Sequence, residues 1–273
     1  MTTQTHPIIR RAARQPRLNS LWQGNWRGWV VPLALLVLLE IIVRLGWLPE
    51  HQMPAPSSIV LTLYDLAQSN LWTHTLASLL RVASGFAIGA SLAIAIGTWV
   101  GLSQRAEAYL EPTFQGLRAI PSLAWVPLLL LWLGIDETPK ITLIAIGAFF
   151  PVYLALVAGI RNIDRKLIEV GRLYQLSGFT LVRRILLPAA LPNLLTGLRG
   201  ALSLAWMFLV AAELIAATRG LGYLLSDGRE TSRPDIVIAA ILVLAVLGKL
   251  SDGLLKSLEQ RALHWRDSFT GGA

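Results

Sequence analysis

The chain has 273 residues, 54% of them hydrophobic and 15% charged, with a formal net charge of +8. Soluble domains carry about 25% charged residues, so this balance, with a mean hydropathy of +0.57, excludes an ordinary soluble domain. The absence of cysteine excludes disulfides, thiolate catalysis and Cys-ligated metals, and the basic residues lie at the ends of apolar runs, which points to a membrane and not to nucleic acid.

Residues 1–28 hold Arg10, Arg11, Arg14, Arg17 and Arg27 and no acid. This basic cytoplasmic tail is expected to be disordered or to lie on the anionic inner leaflet. Residues 29–46 form an apolar run with no small-residue cleavage site behind it, so it reads as an uncleaved first span and not a signal peptide. Glu40 and Arg44, one turn apart, should satisfy each other. No Lys or Arg occurs from 45 to 80, which places this stretch outside the cell by the positive-inside rule. It contains Pro49, Pro54 and Pro56 and a short helix expected over 57–68.

Residues 71–102 read as a long second helix. Gly85 with Gly89, and Gly97 with Gly101, form small-residue faces that allow close helix approach. The polar stretch 103–118 is expected inside, followed by a third span at 119–133, kinked or started by Pro121 and Pro127. The chain returns outside at 134–138, and a fourth span covers 141–160. A fifth span is expected at 194–217, then a polar outer loop at 219–235. That loop holds Arg219, Arg229 and Arg233 against Asp227, Glu230 and Asp235, which runs against a simple positive-inside count. A sixth span at 236–250 leads into Lys249, Asp252, Lys256 and Glu259 and a cytoplasmic tail at 261–273. The expected fold class is all-α: a polytopic membrane protein with about six spans inside 29–260 and both termini in the cytoplasm.

The segment 161–188 is the most basic loop. Ile163, Leu167, Val170 and Tyr174 share one helical face. Arg161, Arg165, Glu169 and Arg172 share the other, with Glu169 in pairing reach of both Arg165 and Arg172. Ser177-Gly178 is expected to break this helix, since Gly tolerates the left-handed conformation, and a second short helix should run to Pro188. A two-sided helix–turn–helix outside the lipid is suited to docking. No nucleotide-binding loop is present, because Gly248-Lys249 lacks the upstream Gly and is followed by Leu250. No internal repeat argues for an inverted-repeat carrier. If transport is active, ATP is hydrolysed on another chain.

In this segment Glu169, Ile185, Leu187 and Pro188 stand in the register of a Glu-Ala-Ala, three residues, Gly, nine residues, Ile-x-Leu-Pro pattern. The segment therefore resembles the cytoplasmic coupling loop of bacterial ABC-importer permeases. Val170, Gly171 and Gln175 depart from that family's Ala, Ala and Gly. The resemblance extends from Pro32 to Arg266 and is to the nitrate/sulfonate/taurine group. Residues 131–137 and 159–164 look like the aliphatic sulfonate permeases, while 209–222 is similar to taurine permeases as well.

The resemblance implies a type I ABC importer permease fold with coupling helices, in the bacterial inner membrane. It implies a permease homodimer, a dimer of ABC ATPase subunits that carries the ATP and Mg, and a periplasmic substrate-binding protein. It implies no cofactor or metal on this chain and no catalytic residue. Carried over by register, the ATPase-coupling residues are Glu169, Gly171, Gln175, Ser177, Gly178, Ile185, Leu187 and Pro188. An anionic sulfonate calls for cationic or backbone N–H partners, which makes Arg199 and Arg81 pathway candidates; Glu213, about four turns along the same helix from Arg199, is a third, expected near the outer gate. Taurine or nitrate import, and a passive channel or secondary carrier, remain alternatives. A membrane-embedded enzyme is disfavoured, since no His/Asp cluster or Ser/His pairing falls at bilayer level.

Overall fold

The computed structural model describes residues 26–264, and among these every regular element is a helix. Most of the basic tail at 1–28 and of the tail at 261–273 lies outside the described residues. Helix α1 (Trp26–Arg44) and α2 (Pro56–Ser69) are tied by Glu40. Its carboxylate accepts from Arg44 Nε at 2.6 Å, as expected, and also from Ser57 N at 3.0 Å and Ser57 Oγ at 2.7 Å. A negative group thus sits on the unsatisfied N–H groups that open α2.

Helix α3 (Leu71–Leu102), α6 (Glu137–Arg161), α9 (Leu187–Ala216) and α11 (Pro234–Ala262) follow the apolar runs. Four helical stretches are long and apolar enough to cross a membrane, and a bent pair can be counted as a fifth. Helix α1 adds 19 residues, about 28 Å at 1.5 Å per residue, close to the hydrocarbon thickness of a bilayer. Six apolar elements therefore match the six runs of the sequence.

The third of them differs from expectation. Helix α4 (Gln104–Ala119) already covers the supposed cytoplasmic stretch, and residues 119–133 are not one helix. Pro121 forces the preceding Ile120 to an extended conformation, φ −78° and ψ 122°. The chain bends by 87° there, and a 3₁₀ turn, Ser122–Trp125, leads into α5 (Val126–Leu133). Helix α5 has 8 residues, and a span needs about 20, so this element crosses only as a broken pair.

Helix α6 is the centre of the bundle: 56% of its apolar window is buried, against 17% for α11. Leu143, Ile144, Ala148, Val152, Tyr153 and Leu156 are fully enclosed between α3 on one side and α9 on the other. Glycine sets the spacing. A Cβ on Gly85 would strike Ile144, and one on Gly89 would strike the Ala145 carbonyl. The small-residue face of α3 is thus filled by α6 of the same chain, which is the close helix approach its spacing allows. On the inner half, Tyr153 donates to Glu111 of α4 at 2.7 Å, and Arg161 pairs with Glu107.

The loop at 219–235 is also more than a polar connector. It contains α10 (Leu221–Glu230), which buries Leu221, Gly222, Leu224 and Gly228 against α9 and α11.

Candidate functional site

Two sites stand out, one at each end of the bundle. The first is the basic segment. Helix α7 (Arg165–Leu173) is capped by Asp164, whose side chain accepts from Lys166 N at 2.9 Å. The helix ends earlier than the sequence indicates. Leu176 N donates to Gly171 O at 3.0 Å and Gln175 N to Arg172 O at 2.9 Å, the paired bonds of a Schellman close. Gln175 occupies its left-handed position, with φ 58°. The break expected at Ser177-Gly178 is therefore made at Tyr174-Gln175, where the family pattern carries Gly. Gly178, φ 51°, instead opens the next helix, and a Cβ there would meet nothing.

The second arm is not a separate short helix. Helix α8 (Gly178–Leu181) runs through a π turn, Val182–Leu186, into α9, with Pro188 in its first turn. Gly178–Ile215 is one continuous stretch of 38 residues. Gly171 is where the two arms touch: a Cβ on it would collide with the side chains of Leu181 and Ile185. Glu169 is exposed and makes no ion pair among the described residues, so its expected bridges to Arg165 and Arg172 are not formed. Ser177 is exposed and makes no side-chain cap bond. Leu173, Tyr174 and Phe179 are 81%, 77% and 76% exposed. The same segment carries exposed Arg165, Lys166, Arg172, Arg183 and Arg184.

The second site is a buried charge network at the other end. Arg81 of α3 donates from Nε and Nη2 to Glu137 at 2.6 and 2.7 Å. Its Nη1 donates to Glu213 of α9 and to the Arg219 carbonyl, both at 2.6 Å. Glu213 also accepts from Ser78 Oγ at 2.8 and 2.9 Å and from Gly222 N at 2.7 Å. Ser78 in turn accepts from Leu221 N at 2.8 Å, and His74 Nδ1 accepts from Gly220 N at 3.0 Å. The His74 ring stacks on Tyr223. Only Gly fits at 220, where φ is 133° and a Cβ would enter the Glu213 carboxylate.

Arg81 and Glu213, both named as pathway candidates, are thus brought together as each other's counter-ions, and their charges are committed to the fold. Arg199 is elsewhere. It pairs with Asp252 at 3.0 Å and 3.2 Å and with Glu259 at 3.3 Å, which joins α9 to α11. Glu137, Ser78 and His74 were missed by the sequence reading. The signal for two of them was present: His74, Ser78 and Arg81 recur at helical spacing along an otherwise apolar helix.

A family model described as binding-protein-dependent transport system inner membrane component matches residues 85–264. A protein of Bacillus subtilis (strain 168), named as an aliphatic sulfonates transport permease, is 43% identical over 249 residues, which cover 91% of this chain and 90% of that protein. A protein of Escherichia coli (strain K12) with the same designation is 41% identical over 91% of this chain and 95% of its own length. Among solved structures, inward-facing conformations of the MetNI methionine ABC transporter superpose with a TM-score of 0.58, covering 70% of this chain and 95% of that one at 20% identity. That last likeness is one of fold.

Proposed function

The chain belongs to the family of binding-protein-dependent transport system inner membrane components, and from that premise we propose that it is the permease that carries aliphatic sulfonates into the cell. It is the multi-pass membrane subunit of an ATP-binding-cassette importer, sited in the inner membrane. It is not itself an enzyme, and ATP is hydrolysed on a separate chain. The sulfonate is supported by the names of its relatives, at identities above two-fifths across nine-tenths of the chain.

One observation supports the coupling role: the side chains of Leu173, Tyr174 and Phe179 are exposed, and no described residue covers them. Exposed large apolar side chains on a segment outside the lipid suit a partner surface, and an ATPase dimer with bound ATP and Mg is the partner proposed. Glu169, Gln175, Gly178, Ile185, Leu187 and Pro188 shape that surface and its junction with α9. A periplasmic binding protein delivers the anion at the opposite face. Two permease copies about an axis along the membrane normal are proposed to enclose the path. The Gly85 and Gly89 face cannot join them, since α6 fills it, so other faces meet at the axis.

The test is reconstitution of the permease with its ATPase and binding protein in liposomes. Uptake of ethanesulfonate is expected to need ATP and all three components, with taurine and nitrate competing weakly. Gradient-driven flux through the permease alone would show a carrier instead.

A further inference from the structure

We infer that the outer mouth of this chain holds a binding site for an organic anion with a short apolar tail, in which Arg219 is the charge ligand. The site lies between the first turns of α3, the start of α6 and the loop that precedes α10. It is a cavity of about 590 Å³, within the range of small-molecule pockets. By the distribution of basic residues its rim faces outward, because the connections at 45–70, 134–136 and 217–220 all lie opposite the basic segment.

One wall is apolar. Trp72, Leu76 and Leu80 recur at helical spacing along α3 and are 72%, 58% and 61% exposed, and Ile141 of α6 completes the wall. The other wall is charged, and its cations are not equivalent. Arg81, with a side chain 3% exposed, directs its guanidinium at Glu137, Glu213 and a carbonyl. Lys140, which does not line the cavity, is buried and donates to the carbonyls of Ile135 and Asp136 at 3.2 and 2.9 Å. Arg219 is exposed; its charge acts on Glu137 across the cavity, but its guanidinium makes no hydrogen bond and no close ion pair among the described residues. Its backbone is nevertheless fixed, since its carbonyl receives Arg81 Nη1.

The cluster therefore holds Arg81, Lys140 and Arg219 against Asp136, Glu137 and Glu213, and among these cations Arg219 is the one whose N–H donors are unspent, at the rim of an apolar wall. A tetrahedral oxyanion meets the planar guanidinium in a bidentate fashion, and an alkyl chain beside Leu76 and Leu80 leaves water. An alkanesulfonate of a few carbons has both parts. The assignment deepens the importer reading and rests on it: this is where the anion first meets the permease. An anionic lipid headgroup shares the same chemistry, so the test must separate the two sources.

The permease–ATPase complex is placed in phosphatidylcholine nanodiscs, and binding of n-hexanesulfonate is measured by calorimetry. The same complex, with its binding protein, is assayed for uptake in liposomes. Arg219→Gln is expected to weaken n-hexanesulfonate binding by tenfold or more and to raise the KM of uptake, and Arg219→Lys should recover most of both. Leu80→Asn should weaken n-hexanesulfonate more than methanesulfonate, which has no chain to bury. Co-purification of the ATPase with each variant establishes that it is folded. Unchanged binding and KM in Arg219→Gln, with a wild type that transports, would overturn the site and leave the importer reading standing. So would a wild type that binds no sulfonate in phosphatidylcholine but is stabilised by phosphatidylglycerol through Arg219, since the occupant is then lipid. A wild type that transports no alkanesulfonate at all would remove the importer's substrate and this site with it.

Discussion

At the scale of single residues, Glu213 is the most constrained group in the bundle. It is 1% exposed and takes hydrogen bonds from Ser78, Arg81 and Gly222. Breaking a buried pair outright costs about 3–5 kcal/mol; here Arg81 keeps Glu137 as a counter-ion, so the cost falls below that, while Ser78 and Gly222 N lose their acceptor. Glu213→Ala is therefore expected to lower the melting temperature of the detergent-solubilised protein sharply. Glu213→Gln, which keeps the acceptor oxygen for Ser78 but not the charge for Arg81, should fall between. Gln175 poses the opposite case. A side chain held at φ 58° is strained by roughly 1 kcal/mol relative to Gly, so Gln175→Gly should tighten the turn after α7. Slower hydrogen exchange at Leu176 and Gly178 would show it, and faster exchange would contradict it.

Among elements, the continuity of α8, the π turn and α9 matters most. Because the second arm of the proposed docking segment is continuous with the long apolar helix, the coupling proposed above predicts that a push on residues 178–186 moves α9 as one body, with no hinge between two short helices. Between the two arms, Gly171 of α7 lies close against the side chains of Leu181 and Ile185. Gly171→Leu is expected to splay α7 away, with loss of ATPase in pull-down and loss of uptake while the permease stays inserted. Gly178→Val and Glu169→Lys should also weaken ATPase attachment, the first through a positive φ that a β-branched residue resists and the second by reversing an exposed charge on the docking face. At the α3–α6 contact, Gly89→Ala would overpack against the Ala145 carbonyl, a cost of about 1–3 kcal/mol, read as a lower melting temperature. Arg199→Ala acts between α9 and α11. It removes the guanidinium that Asp252 and Glu259 of α11 share across the α9–α11 contact, so the expected effect is a loosened α11 contact that Arg199→Ala/Asp252→Ala partly reverses in a thermal melt.

For the whole molecule, the orientation is open to a clean measurement because the parent has no cysteine. Ser69→Cys should react with an impermeant thiol reagent from outside, and Thr180→Cys only from inside. Block of Ser69→Cys by an inside reagent alone would reverse the topology and, with it, the side on which the Arg81–Glu213 network and the basic segment lie. The same Cys-free background allows a search for the proposed permease dimer by cross-linking from exposed positions on α11, the least buried of the long spans.

Local composition by itself indicated the apolar spans and their order, and the positions of Lys and Arg gave an expected sidedness. Apolar run length and the placement of Lys and Arg are properties of short windows, and the bilayer reads them one window at a time. The Glu169 and Ile185–Pro188 register was likewise legible, as it needs only spacing. Only the tertiary structure decided which polar groups meet. Arg81 lies 56 residues from Glu137 and 132 from Glu213, and no periodicity reports a contact at that separation. It also decided what fills the Gly85 and Gly89 face, since a small-residue stripe states that something packs closely and not what does. The bend at Pro121 and the joining of α8 to α9 belong with these. The same proline that starts one helix breaks another, and the outcome depends on whether neighbouring helices satisfy the freed backbone groups, which is a property of the assembled bundle.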